Sequence, residues 1–423
     1  MARIVLTTLG SSGDINPYVA LALGLRERGH DILFAIEPEF RGAVDAAGFP
    51  ISPLASHADA LTARAGRLFG GSPARSILAL VRHYGAVDLP GRVRDLRTAC
   101  RGADLLVASL IQFAAPIVSW LEDIPWVSVV LSPANIPSSG LPPLPLPAPG
   151  PLRRPVTRLQ WWAARRIVRR WADTPVNRAR AGYGLPPVTD VMFTGNLSER
   201  LTAVATSPAI VPPQPDWPPS VRETGFLFWD APEEWREPPE LTAFLDGSRP
   251  VVAISSGSMV SRIEGLFAEF FAASFAAARR AGCRALALGA SPGALPRPLP
   301  DDVLALPYAP FSRVYPRCAA AIHHGGIGTT AQALRAGLPM LVVPWGVDQF
   351  FTAGRIATLG AGRSLSRRRY SVDRASRALA ALLHEPCYRD AAARLGGRIA
   401  AEDGVGTLRD ALEGVIRAGA GLG

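Results

Sequence analysis

The stretch from Ala319 to Gln349 reads AAAIHHGGIGTTAQALRAGLPMLVVPWGVDQ. It predicts an apolar strand, a glycine-rich turn, a short helix, a second apolar strand and then an Asp-Gln pair. When a buried strand runs straight into such a turn and a helix, the first backbone N–H groups of the helix are unpaired and point beyond the strand ends. The order of these elements therefore predicts a site that stabilises an anion.

The turn suits a diphosphate. Three glycines let the backbone approach a ligand without a Cβ clash, and two threonines add hydroxyl donors. These residues are Gly325, Gly326, Gly328, Thr329 and Thr330. His323 or His324, at the end of the strand, can donate a hydrogen bond or a positive charge. The structural alternative is a tight turn that the histidines cap.

A second group of polar side chains follows the strand from Pro339 to Val343. Asp348 and Gln349 offer acceptors and donors suited to a ring of hydroxyls, and Trp345 offers an apolar wall. These side chains indicate sugar binding. Asp348 is also a good N-cap for a helix from Gln349 to Leu359, and that structural role is compatible with the functional one.

The whole stretch resembles the nucleotide-sugar signature of family 1 glycosyltransferases of the GT-B type, in its bacterial form His-(His)-Gly-Gly-x-Gly-Thr … Pro … Pro … Asp-Gln. Within that family the chain is most similar to the glycolipid rhamnosyltransferases and to the sterol and antibiotic glucosyltransferases. The resemblance implies an α/β fold of two Rossmann-like, doubly wound domains facing a central cleft. It also implies an inverting, metal-independent enzyme that moves a hexose, rhamnose or glucose, from a dTDP- or UDP-sugar to a hydrophobic acceptor.

The loop after the first strand, Arg3 to Thr8, carries the candidate base. In the family this loop holds a catalytic His, or an Asp in the form Gly-Asp-x-x-Pro, and Gly13, Asp14 and Pro17 match the Asp form. The resemblance therefore makes Asp14 the general base and places Gly13 beside the donor. We expect a helix that starts at Asn16 and Pro17, because Asn is a good N-cap and Pro suits the first helical position. An acid ahead of a helix is also favoured by the helix dipole alone.

Two further positions match donor contacts of the family. Ser258 lies in a Gly-Ser loop after the strand Pro250 to Ser255, where the family touches the donor phosphates. Tyr308 stands where plant members carry an aromatic that stacks on the nucleobase, although Phe311 replaces the Gln of that motif. Ala331 replaces a Glu that grips the ribose in many UDP-glucose enzymes, which tilts the donor toward dTDP.

The chain of 423 residues is long enough for two domains. We expect an acceptor-binding domain over residues 1–220, a nucleotide-sugar domain over 221–400, and a helix within 401–423 that returns to the first domain. Proline-rich sequence at 210–220 marks the boundary. The four scattered cysteines and a short N-terminal apolar run favour a cytoplasmic protein.

The net charge is +10, and arginine supplies all of the positive side-chain charge because the sequence contains no lysine. No motif favours nucleic acid. The sequence of residues 157–180 predicts a helix rich in Arg and Trp. This helix either packs its aromatic side chains on the first domain or lies on an anionic membrane, which would be the inner membrane. The resemblance implies that this region bears on acceptor binding, and that the acceptor is a lipid, a hydroxy fatty acid or a natural product.

Two other functions fit parts of the chain. Gly10, Gly13 and Glu37 form a fragment of a dinucleotide fingerprint, which would suit an NAD-dependent oxidoreductase but leaves residues 319–349 unexplained. A non-catalytic auxiliary protein on the same fold is the other alternative. No metal site and no cofactor are expected, because the sequence has no DxD motif and no metal-ligand spacing of cysteines.

Overall fold

The computed structural model describes residues 1–55, 79, 87–143, 150–230, 234–258, 267–290 and 292–420. The chain divides into two compact units, the first made of Met1–Trp229 with Glu402–Gly423 and the second of Asp230–Ala401. Each unit is built on a parallel sheet whose strands are apolar and mostly buried, as expected when helices cover both faces.

The first unit holds a seven-stranded parallel sheet. Its strands are β1 (Arg3–Thr7), β2 (Asp31–Ile36), β3 (Ile51–Pro53), β4 (Leu105–Ser109), β5 (Trp126–Val130), β6 (Thr202–Val204) and β7 (Val221–Glu223). They lie in the order β3-β2-β1-β4-β5-β6-β7. The order reverses between β1 and β4, and such a switch point leaves a crevice at the carboxyl ends of the strands where ligands bind in α/β folds.

Helices connect and cover these strands. They are α1 (Ser12–Arg26), α2 (Gly42–Ala46), α3 (Leu89–Ala99), α4 (Ala115–Glu122), α5 (Arg153–Gly182) and, at the end of the chain, α13 (Gly404–Ala420). The last of these joins the core of the first unit, where Leu408 and Leu412 are fully buried and pack with residues of β1 and α1. The fit is close, because a Cβ at Gly24 of α1 would lie 2.6 Å from a methyl of Val405.

The second unit holds a six-stranded parallel sheet. Its strands are β8 (Val251–Ser255), β9 (Arg284–Leu288), β10 (Val303–Leu306), β11 (Ala320–His323), β12 (Met340–Val342) and β13 (Gly362–Ser364). The order is β10-β9-β8-β11-β12-β13, so the switch point lies between β8 and β11. The stretch from Ala319 to Gln349 thus supplies β11, the strand on one side of this switch point.

The helices of the second unit lie between and beyond these strands. They are α6 (Pro239–Leu245), α7 (Ala268–Arg280), α8 (Phe311–Val314), α9 (Ile327–Arg335), α10 (Gln349–Thr358), α11 (Val372–His384) and α12 (Pro386–Ala400). Short 3₁₀ turns complete the described chain at Pro38–Phe40, Pro133–Asn135, Gly150–Leu152, Pro292–Ala294, Tyr315–Arg317 and Arg367–Arg369.

The boundary between the units differs from the expected one. Residue 220 was expected to end the first domain, yet β7 pairs with β6 in the first sheet and the first unit continues to Trp229. The prediction placed the boundary at the proline-rich segment, but the chain after that segment forms one more edge strand of the first sheet. A three-residue strand such as β7 carries too little pattern to be recognised in the sequence.

Candidate functional site

The loops at the switch point of the second sheet pack around His324. The His324 ring lies between the loop after β8 and the loop after β11, only 8% exposed. A Cβ at Gly326 would lie 2.5 Å from its Nε2 atom, and one at Gly257 would clash with the ring as well. Gly257 also has φ +85°, which favours glycine. The two glycines are therefore required for the approach of the loops to this ring.

His323 lies deeper and has a different environment. It is fully buried, its Nδ1 accepts the Gly325 N–H at 3.1 Å, and its Nε2 lies 3.3 Å from the Met340 sulfur. Both ring nitrogens are thus engaged inside the unit. Of the two histidines expected at the diphosphate, the structure gives His323 the structural role of holding the turn and leaves His324 as the candidate.

The two rings are neutral at pH 7. Burial, together with a smaller contribution from the neighbouring His324, lowers the pKa of His323 to about 3. Burial also lowers the pKa of His324 to about 4, although the backbone of Ser255 opposes the shift. The positive charge that was considered for this position is therefore absent in the protein itself, and His324 would act on an anion as a hydrogen-bond donor.

The N-terminus of α9 supplies further donors. Gly325 has φ +95° and turns the chain out of β11, and a Cβ there would lie 2.8 Å from a methyl of Val342. Thr330 donates its hydroxyl to the Gly326 carbonyl at 2.9 Å and is fully buried, so it belongs to the helix start. Gly328 is exposed, with open space where a Cβ would point, and Thr329 follows it, half-buried. These positions present backbone N–H groups beyond the sheet.

The loop after β12 is held by Gln349. Its Oε1 accepts the N–H groups of Trp345 and Gly346 at 2.8 and 3.1 Å, which leaves the amide NH₂ as the part of this side chain able to donate to a ligand. Asp348 is half-buried at the N-cap position of α10, as the structural alternative places it, but its side chain makes no capping hydrogen bond. Val347 has φ +50°, a strained conformation for a β-branched residue and one typical of functional loops.

Trp345 packs inside the unit and does not form the expected apolar wall. It is 5% exposed, the Phe267 ring stacks on it with centroids 3.9 Å apart, and the Arg367 guanidinium carbon lies 3.9 Å from its ring centroid. Two groups so close to one centroid must occupy opposite faces of the indole. Because both faces are covered, the expectation that Trp345 contacts a sugar is wrong.

Tyr308 lies at the same edge of the second sheet, after β10. Its side chain is 51% exposed, so its ring is accessible for stacking. Along this edge Tyr308 is followed by Ser258 after β8, then by His324 after β11, then by Asp348 and Gln349 after β12. Since neighbouring strands lie about 4.8 Å apart, the set spans about 19 Å of the carboxyl edge.

In the first unit, Asp14 lies within α1 and not ahead of it. The helix begins at Ser12, with Ser11 as N-cap, and the Asp14 Oδ2 accepts the Ser11 N–H at 2.9 Å in a capping box. The expected start at Asn16 is wrong because this reciprocal pair closes the helix one turn earlier. Gly13 is exposed in the same turn of the first unit.

The surroundings of Asp14 include side chains that sequence reasoning missed. Gly10 has φ +127°, and a Cβ there would overlap the Asp14 carboxylate. Burial, and then the Asp14 charge, raise the pKa of Tyr18 well above its usual value, so its phenol stays protonated. Across the switch point, Gln112 donates from Nε2 to the Thr7 hydroxyl at 3.0 Å. Nothing in the local pattern of Tyr18 marked it as a neighbour of the candidate base, and nothing in that of Gln112 marked it as a contact of Thr7 at the end of β1.

Comparison with known proteins identifies the family. The O-mycaminosyltylonolide 6-deoxyallosyltransferase of Streptomyces fradiae is 34% identical to this chain over 420 residues, which cover 95% of each protein. The chain belongs to the family 1 glycosyltransferases of the GT-B type. The vancomycin aglycone glucosyltransferase of Amycolatopsis orientalis is 31% identical over 421 residues, covering 98% of each.

Family models and a solved structure agree with the assignment of this chain to the glycosyltransferases. Residues 285–405 match the erythromycin biosynthesis protein CIII-like C-terminal domain, and residues 4–78 match the glycosyltransferase family 28 N-terminal domain. The glycosyltransferase VinC, solved in complex with dTDP, covers all of this chain with a TM-score of 0.68 at 22% identity, and this chain covers all of VinC. The likeness confirms the GT-B fold of two Rossmann-like domains.

The dinucleotide fingerprint considered for the first unit fits the structure of this glycosyltransferase poorly. The Glu37 side chain is 1% exposed and lies 3.2 Å from the guanidinium of Arg92, which is fully buried. A carboxylate paired in the interior is not placed to bind a ribose at the surface.

In the part of the chain that the structure describes, no three His, Cys, Asp or Glu side chains are grouped as metal ligands. Nor does any helix there combine the length and the apolar character needed to span a membrane.

Proposed function

We propose that this glycosyltransferase moves a hexose, with inversion and without a metal ion or cofactor, from a dTDP- or UDP-sugar to a hydroxyl of a hydrophobic natural product. The observation that carries the proposal is the order of side chains along the carboxyl edge of the second sheet. An exposed aromatic, two glycine loops with a helix N-terminus, and an Asp-Gln pair follow one another there. The groups of a nucleotide sugar, base, diphosphate and sugar, follow in the same order.

The donor contacts are assigned on that order. The Tyr308 ring stacks on the base, and the backbone N–H groups at Gly326, Gly328 and Thr329 bind the diphosphate together with His324. Ser258 adds a hydroxyl from the other side of the switch point. Asp348 and the Gln349 amide NH₂ bind hydroxyls of the sugar. These contacts matter most as the diphosphate leaves, because negative charge then develops on its oxygens.

Asp14 acts as the general base. The acceptor oxygen attacks the anomeric carbon of the sugar, its proton passes to the Asp14 carboxylate, and the bond from that carbon to the diphosphate oxygen breaks. A carboxylate has no tautomer to be fixed, so the base needs no second acid to orient it. The capping bond from Ser11 instead holds the Asp14 side chain in one orientation.

The relatives guide the choice of acceptor. The two relatives described above are named for O-mycaminosyltylonolide and for the vancomycin aglycone, which favours a natural product over the lipid or hydroxy fatty acid expected first. VinC was solved with dTDP, which together with Ala331 favours a dTDP-sugar. Acceptor choice does not enter the test of the donor site.

The donor site is tested by calorimetry with dTDP, UDP and NAD in the presence of EDTA. We expect dTDP or UDP to bind without metal and NAD not to bind. The variant Gly328→Asp places a charge in the first turn of α9, where a side chain meets open space, and like charges at about 5 Å weaken binding of the diphosphate roughly tenfold or more.

Gly328→Asn is the matched control, since Asn has the same shape without the charge and should bind dTDP nearly as the wild type does. An acid near a helix N-terminus stabilises the helix, so weaker binding by Gly328→Asp cannot come from unfolding. Equal binding by the two variants, or binding of NAD alone, would refute the donor site.

A further inference from the structure

A groove of about 650 Å³ runs along α5 in the first unit. Five arginines of α5 line it, and none of them has a part in the proposed donor site or base. They are Arg158, Arg165, Arg166, Arg169 and Arg170. The rest of the lining is formed by residues 137–139, Trp161, Trp162 and Asp216. The cavity is therefore strongly basic on one side.

Only part of this charge is neutralised. Asp190 pairs with Arg165 at 2.7 Å and with Arg169 at 3.3 Å, and its side chain is 1% exposed. Asp216 faces the groove and accepts the Ser139 N–H at 2.7 Å. Arg158, Arg166 and Arg170 make no ion pair with any described residue. Five arginines against two carboxylates leave the groove with an excess of three positive charges.

The one acidic residue of α5 makes no ion pair with the arginines of the groove in the described structure. Asp173 is the single acidic residue in the helix sequence, and its oxygens accept the N–H groups of Asp190 and Val191 at 2.8 and 3.0 Å. Its carboxylate is thus used to fasten the helix to the segment it covers. Along its whole length α5 therefore presents arginine to its surroundings with no acidic residue left between.

Apolar side chains share the exposed side of α5. Of the nine large hydrophobic side chains exposed in the described structure, five lie between residues 152 and 171. They are Leu152, Leu159, Trp162, Ile167 and Trp171. The buried side of the helix is separately satisfied, because Trp161 donates to the Leu141 carbonyl at 2.8 Å and packs edge-on against Phe193. So dense a group of exposed apolar residues is unusual for a surface that faces only water.

We propose that α5 docks on an anionic phospholipid surface. Arginines of the groove meet the lipid phosphates, and Trp162 with its apolar neighbours enters the boundary between headgroups and acyl chains. Charge complementarity selects an anionic partner, and the exposed Leu and Ile side chains select one with an apolar layer beneath its phosphates. A soluble phosphate or a nucleic acid would leave those aliphatic side chains in water. The proposal does not depend on the transfer reaction.

The test is co-sedimentation of the full chain with phosphatidylcholine vesicles, with and without phosphatidylglycerol. We expect binding to the vesicles that contain phosphatidylglycerol, decreasing as salt is added. The variant Arg166→Gln/Arg170→Gln should bind them about thirtyfold more weakly, since each arginine near such a surface contributes to the affinity. The control Arg394→Gln/Arg398→Gln removes the same charge from exposed positions of α12 in the second unit and should bind as the wild type does.

Insertion is tested separately, by quenching of tryptophan fluorescence with brominated lipids. Trp162→Phe should lose much of the quenching, whereas Trp120→Phe, at a position of α4 with similar exposure (60% against 61%), should keep it. Equal binding to vesicles of phosphatidylcholine alone, equal affinity of the two double variants, or displacement by glycerol phosphate in solution would overturn the proposal. Binding of nucleic acid without binding of vesicles would overturn it as well.

Discussion

At the scale of single residues, Asp14 combines a structural and a proposed chemical role that substitutions can separate. Asn keeps an oxygen for the Ser11 N–H but cannot take a proton from the acceptor. We expect Asp14→Asn to lower the rate of transfer by about 10²- to 10⁴-fold, the usual contribution of a general base. Binding of dTDP, measured by calorimetry, should stay unchanged, because the donor loops belong to the second unit.

Asp14→Ala is the companion variant. It loses the base and also the capping bond, so it should be about 1 kcal/mol less stable than Asp14→Asn while transferring no faster. Denaturant unfolding separates the two effects. Transfer at the wild-type rate by Asp14→Asn would refute the assignment of the base and leave the donor site untouched.

At the scale of elements, the end of β11 determines how stability responds to acid. The two histidines there have a pKa of about 3 and about 4, whereas in the unfolded chain each takes up a proton near pH 6.5. Between these values the unfolded chain binds protons that the folded protein does not. The free energy of unfolding should therefore be highest above pH 6.5 and should fall by about 1.4 kcal/mol per histidine for each pH unit below it.

This dependence is measured by urea unfolding at several pH values between 5 and about 8. His323→Asn should remove roughly half of the histidine contribution to the slope, and its side-chain oxygen can still accept the Gly325 N–H. The control His384→Asn alters an exposed residue at the end of α11 and should leave the slope unchanged. A slope that is the same in both variants would show that burial of His323 does not cause the acid sensitivity.

Elements also show what the sequence can and cannot reveal. The predicted strands Arg3 to Thr8 and Pro250 to Ser255 each differ by only one residue from the observed β1 and β8, because a buried parallel strand is a continuous apolar run that ends at turn residues. The glycine loop of β11 and α9 was recognised for a similar reason, since its order is local. The start of α1 was missed because Ser11 and Asn16 are both good N-caps, and only the position of the Asp14 side chain decides between them.

Trp345 illustrates the other limit of prediction. Its position after β12 was readable, but the residues that cover its ring, Phe267 and Arg367, come from distant parts of the chain. Contacts of this kind depend on how α7 and the turn at Arg367–Arg369 pack, which no local pattern specifies. The same holds for Gln112 beside Thr7, where two strands meet that are distant in sequence. Packing therefore decides which of the predicted site residues remain accessible.

At the scale of the whole molecule, the chain contains two units with separate cores, and its last helix belongs to the first of them. Leu408 and Leu412 of α13 are fully buried against α1. Leu408→Ala leaves a cavity there and should cost about 2–5 kcal/mol. Hydrogen exchange should then accelerate in α1, by mass spectrometry of peptides from residues 12–26, and stay unchanged in α9 of the second unit.

Leu395→Ala provides the converse test, because Leu395 is 5% exposed in α12, which packs on α9 within the second unit. That variant should accelerate exchange in α9 and leave α1 as it is. Because opening of a cooperative unit exposes all of its amides together, the pair of variants reports whether the two cores open independently. If Leu408→Ala accelerated exchange in α9 as much as in α1, the cores would form one cooperative unit, and α13 would stabilise the whole chain.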